Sequence, residues 1–179
     1  ELLGRMPRRR LEGEALRDAL LLVRGNLNRD AGGPGVRPPL PPEIVRTLLK
    51  DQWPVTADEA EHRRRSIYLF VRRNLKYPLF DVFDRPGQNL SCSRRQQTTI
   101  APQALALLNS ELSLETAREL VRRLDDQNLT TPEERITASY RLLYGREPES
   151  SELRASRELA LSGPAGWEDL MLALLNANE

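Results

Sequence analysis

The residues able to do chemistry gather between Arg64 and Ser110, in the stretch RRSIYLFVRRNLKYPLFDVFDRPGQNLSCSRRQQTTIAPQALALLNS. Asp81 and Asp84 stand three apart among phenylalanines, a spacing that can turn two carboxylates toward one cleft as an acid and base pair or as calcium ligands. Calcium typically takes about six or more oxygens, so further carboxylates would have to arrive from elsewhere. Pairing with Arg72, Arg73, Arg94 or Arg95 is the simpler use of the two aspartates. Arg94 and Arg95 lead into Gln96, Gln97, Thr98 and Thr99, a donor-rich run just before an expected helix start. Backbone amides and the helix dipole there favour an anion such as a sulfate, a phosphate or a uronate. Arg94, Arg95, Asp81 and Asp84 are therefore the candidate anion- or substrate-binding residues, and a capping network closed by one of the aspartates is the competing reading.

The remaining inventory excludes several classes. A single cysteine, Cys92, rules out an internal disulfide, a cysteine-rich zinc site and a CxxCH haem attachment. With no base beside it in any motif, it reads as a small buried hydrophobe. His62 is the only histidine, which leaves no multi-histidine metal site, and no metal is expected. The 27 basic and 26 acidic residues nearly cancel, so no global surplus of positive charge is available to drive binding to nucleic acid. No apolar run is long enough to span a membrane, and no signal peptide opens the chain. The abrupt start at Glu1 and a helix-like end at Glu179 suggest a C-terminal fragment of a larger protein.

The elements that must position these residues read as mostly α, a single helical domain over residues 1–179. Leu11, Ala15, Leu16, Ala19, Leu20, Val23 and Leu27 recur at three and four residues and mark an amphipathic helix, with Glu12, Glu14, Arg17, Asp18 and Arg24 on its polar face. DAGGPGVRPPLPPE, residues 30–43, is expected to cross the domain as an ordered proline-rich arm. Ile44 to Leu49 supplies a helical turn or two. Thr56 and Glu59 match a capping box, predicting a helix through Arg63 to Arg65, and the apolar run Ile67 to Val71 is expected to continue it. Residues 76–99 show no periodicity and read as a long loop anchored by Phe80, Val82 and Phe83.

Pro102 opens a helix running toward Leu124, with Asn109 and Ser110 as a point of division. Thr131, Pro132 and Glu134 form the clearest helix start in the chain, and Gly145 closes that helix. Leu153 to Leu161 marks another helix, ended by Gly163 and Pro164. Trp167, Leu170, Met171, Leu174 and Leu175 mark the last.

At RRSIYLFVRRN, FDVFDRP, LSCSRR and TTIAPQALALLNS, and in the flanks RRRLEGEALRDALL, GGPGV, ERITASYRLLYGREPESSEL and WEDLMLALLNANE, the chain resembles a planctomycete-specific domain of unknown function. That domain lies C-terminally in large planctomycetal cytochrome-c-like proteins. The resemblance implies an exported, extracytoplasmic protein whose haem-binding domain lies upstream, with no cofactor in this chain. It also implies upstream domains of the same polypeptide as partners, and polysaccharide as a further candidate. Two readings follow: a non-catalytic accessory or interaction module, or a subdomain of an enzyme acting on polysaccharide or in envelope redox chemistry, with an anion or sugar site near the central loop. The shortage of histidine, cysteine and clustered carboxylates favours the first.

Overall fold

The computed structural model describes residues 10–49, 51–73, 75, 77–87 and 91–177. Among them lie eight α-helices: α1 (Gly13–Val23), α2 (Pro42–Val45), α3 (Pro78–Val82), α4 (Ala101–Asn109), α5 (Glu111–Asp125), α6 (Pro132–Tyr144), α7 (Ser150–Ala160) and α8 (Gly166–Leu175). Extended pairing is confined, among the described residues, to three isolated bridges, so the mostly α class holds. The chain forms two compact units, one of residues 100–177 with Val23–Gly25, the other of Leu11–Leu22 and Asn26–Thr99.

The unit of residues 100–177 is built as its sequence dictates. Thr131 accepts from the Glu134 amide at 3.2 Å while the Glu134 carboxylate accepts from the amides of Thr130 and Thr131, closing the expected box at the start of α6. Gly145 ends the helix at φ 69°, where only glycine is free of strain. Ser110, accepting from the Ser113 amide, divides the long helical pattern into α4 and α5. Ala117, Leu120 and Leu124 from α5, Ile136 and Tyr140 from α6, Ala160 from α7, and Leu170, Met171 and Leu174 from α8 form one buried cluster. Tyr144 donates to the Leu174 carbonyl at 2.6 Å and meets Tyr140 edge-on. Trp167 is only half buried, since the Arg135 guanidinium, 4.2 Å from the ring centroid, covers it in place of carbon.

The other unit departs further from expectation, because it is largely loop. A loop-rich unit leaves carbonyls that no helix ladder satisfies, and here two buried arginines satisfy them. Arg17 of α1, expected on the polar face, is 3 % exposed and donates to the carbonyls of Arg64 at 2.9 Å and His62 at 2.6 Å. Arg64, equally buried, donates to the carbonyls of Asp30 and Gly32, pairs with Glu61 at 2.9 Å and lies over the Tyr68 ring. The arm is ordered as expected: Val36 donates to the Tyr68 carbonyl at 2.8 Å and accepts from the Phe70 amide at 2.7 Å, and Trp53 Nε1 donates to the Pro38 carbonyl.

That arm explains two corrections. Thr56 does not cap a helix, because its hydroxyl and amide are taken by the backbone of Arg37, and only a 3-10 turn follows at Glu61–Arg63. Ile67 to Val71 does not continue a helix either. After a 3-10 turn at Ser66–Tyr68 the chain runs extended beside Val36, burying Leu69 and leaving Ile67 in solvent. The central loop also contains more structure than expected, since Pro78 opens α3 within it. Phe80 and Phe83, nearly fully buried, pack on α1 at Gly13, where an added Cβ would lie 3.1 Å from the Phe83 Cβ and 3.2 Å from the Phe80 backbone.

Candidate functional site

The four candidate residues resolve into a clamp that fixes the central loop. Phe83 and Asp84 end α3 in a Schellman turn, with the Arg85 amide donating to the Phe80 carbonyl at 2.9 Å. Asp84 takes the left-handed position, φ 59°, that glycine usually fills and that aspartate tolerates. From there its carboxylate accepts from the Thr98 amide at 2.8 Å and from the Thr98 hydroxyl at 2.9 Å and 3.0 Å. The turn after α3 is thereby tied to the segment fourteen residues on.

Arg95 is held by carboxylates, as expected of a pinned loop, but they come from the start of α1: Glu12, just before its first residue, at 2.6 Å and Glu14, in its first turn, at 3.1 Å. The expected exchange of Arg95 with Asp81 or Asp84 is replaced by this pairing, since two acids already flank the positive N-terminus of α1. Glu14 also takes Arg85 at 3.4 Å, so one carboxylate bridges two arginines from opposite ends of the loop. Arg94 points to solvent and its guanidinium has no hydrogen-bond or ion-pair partner among the described residues; its carbonyl accepts from the Cys92 thiol at 3.1 Å. Cys92 itself is exposed rather than buried, because residues 91–95 run along the surface. Asp81 sits on α3, and its side chain is exposed while its neighbours Leu79 and Phe80 are buried. The structure thus brings Asp84 to Thr98 and Arg95 to Glu12 and Glu14, without gathering all four candidates around one cavity.

A concave site lies elsewhere in the same unit. Pro38 and Leu40 of the arm, Trp53, residues 69–73, Leu75, Tyr77 and residues 85–87 line a pocket of about 80 Å³. Trp53 and Phe70 meet edge to face with centroids 6.1 Å apart, and the Arg37 guanidinium lies 3.8 Å from the Phe70 ring centroid. Sequence reasoning offered Arg72 and Arg73 as partners for the two aspartates and placed Phe70 in a continuing helix. Their convergence with the arm could not be found from periodicity, because it depends on Val36 pairing with the segment after Ser66. Among the described residues no group of three or more histidine, cysteine, aspartate or glutamate side chains is placed to hold a metal ion, and no helix is long and apolar enough to cross a membrane.

A family model described as PSD1, protein of unknown function (DUF1553), matches residues 1–160. The chain belongs to this family. The PSD1 match takes in both the clamp and the pocket and ends at the C-terminus of α7, before α8. No curated protein matches the chain, and no solved structure matches it.

Proposed function

We propose that this PSD1 domain is a non-catalytic accessory or interaction module of a larger, exported, cytochrome-c-like protein, working outside the cytoplasm against upstream domains of the same polypeptide. The motif resemblance to planctomycetal proteins supports that setting, in which any haem belongs to the upstream domains and polysaccharide is a substrate of the assembly. One observation carries the non-catalytic reading: the charged residues best suited to chemistry serve as structural ties, Asp84 on Thr98 and Arg95 on Glu12 and Glu14. A carboxylate engaged by an amide and a hydroxyl is poised to hold a loop, not to take a proton from a substrate.

Asp84→Asn tests this. It keeps a residue tolerant of the left-handed conformation and removes the charged acceptor, so the thermal midpoint of the chain should fall while the turnover of a larger protein carrying the domain stays at the parent level under folding conditions. An unshifted midpoint with lost turnover would overturn the accessory reading.

A further inference from the structure

The pocket of the arm unit carries unbalanced positive charge over a fixed apolar floor. Among the described residues its lining includes Arg72, Arg73 and Arg85 and no aspartate or glutamate. Arg85 is balanced by Glu14 at 3.4 Å. Arg72 donates to the Gln52 carbonyl at 2.5 Å, which satisfies a donor and leaves its charge uncompensated. Arg73 is exposed, and its guanidinium has no hydrogen-bond or ion-pair partner among the described residues. Two adjacent cations lining a low-dielectric concavity focus their field on whatever enters it.

The aromatic part of the lining is held by its own contacts. Trp53 is fixed by its bond to the Pro38 carbonyl and by its edge contact with Phe70, and Phe70 is fixed in turn under Arg37. A volume of about 80 Å³ is roughly half that of an engineered cavity known to admit benzene, which limits the enclosed part of a ligand to about a small branched side chain. A planar anion suits the guanidinium fork, which meets a carboxylate through two parallel hydrogen bonds. We propose that this pocket binds a small carboxylate, its compact apolar body seated against Trp53 and Phe70 and its anionic group taken by Arg73. Such a group could be a free short-chain acid or the terminal carboxylate of a polypeptide.

The test is calorimetric titration of the full chain with 3-methylbutanoate, with a short peptide ending in valine, and with the same peptide amidated. Saturable binding at one site per chain is expected for the acid, the acid-ended peptide or both. The amidated peptide should bind at least about tenfold more weakly than its acid form, since a hydrogen-bonded charge contact is commonly worth about 1.5–3 kcal/mol. Arg73→Gln should weaken binding by a similar factor at an unchanged melting temperature, and Arg94→Gln should leave it alone. Preference for the acid-ended peptide identifies a chain end as the ligand; equal or better binding of the free acid identifies a small molecule. No saturable binding of either, or an Arg73→Gln protein that binds as the parent does, overturns the proposal.

Discussion

Asp84 shows how one residue can serve two purposes that each need something different. Its backbone supplies the left-handed turn after α3, and its side chain supplies the acceptor for Thr98, which glycine in that turn could not do. Glu152 makes a parallel case in the other unit. Its carboxylate takes both Arg146 nitrogens at 2.7 Å and the Glu149 amide at 2.7 Å, and these bonds, Arg146 first, lower its pKa from 4.5 to about 2. The folded state therefore binds this proton less readily than the unfolded chain, so the contribution is fully present above about pH 4.5 and is lost as pH falls toward 2. Glu152→Gln should flatten that part of the acid limb of the stability curve, measured by chemical denaturation from pH 5 to pH 2.5; an unaltered slope would mean the pair is not formed in solution. The box at Thr131 was legible from residue types alone because its bonds are local. The acceptors of Arg95 and Arg17 were not, since each lies more than forty positions away and sequence supplies charges without partners.

At the scale of elements, legibility followed the same division. Helices α5 to α8 have apolar faces and punctuation within their own sequence, and residues 30–43 announced an arm through their prolines. Where tertiary pairing decides local structure, propensity was overruled: Thr56 gave its hydroxyl to Arg37, and Leu69 paired with Val36. The same dependence on close approach governs the α7–α8 corner. Gly166 sits against the end of α7, and a Cβ there would lie 2.5 Å from the Ala160 carbonyl oxygen and 2.6 Å from that of Leu159. Backbone cannot yield as a side-chain tip can. Gly166→Ala should destabilise the protein by about 1–3 kcal/mol, the usual range for overpacking, read as a lower denaturation midpoint with unchanged helical content before the transition. A neutral substitution would show that the two helices can part without loss.

For the whole molecule, what matters is how the core is distributed. The nine residues of the buried cluster in the first unit all fall between Ala117 and Leu174, on four consecutive helices with short connections. Local contacts of this kind need little loop closure and form readily. Among the described residues, the only partly buried hydrophobic that joins the cluster from outside residues 100–177 is Val23, whose carbonyl also accepts from Arg123 at 2.6 Å. The arm unit has no such independence in its sequence order, since α1 must meet residues 62–66, and the first turn of α1 must meet Arg85 and Arg95, before Arg17 and the two glutamates find their partners. Expressed alone, residues 100–179 should therefore give a cooperative thermal transition with helical circular dichroism, at a midpoint lowered by the missing Val23 contacts. Residues 11–99 expressed alone should be much the weaker of the two, because that unit spends two buried guanidiniums in place of apolar packing. A non-cooperative melt of the 100–179 fragment, with Trp167 emission at the solvent-exposed wavelength, would show that its core is not self-sufficient and that folding must begin from the complete chain.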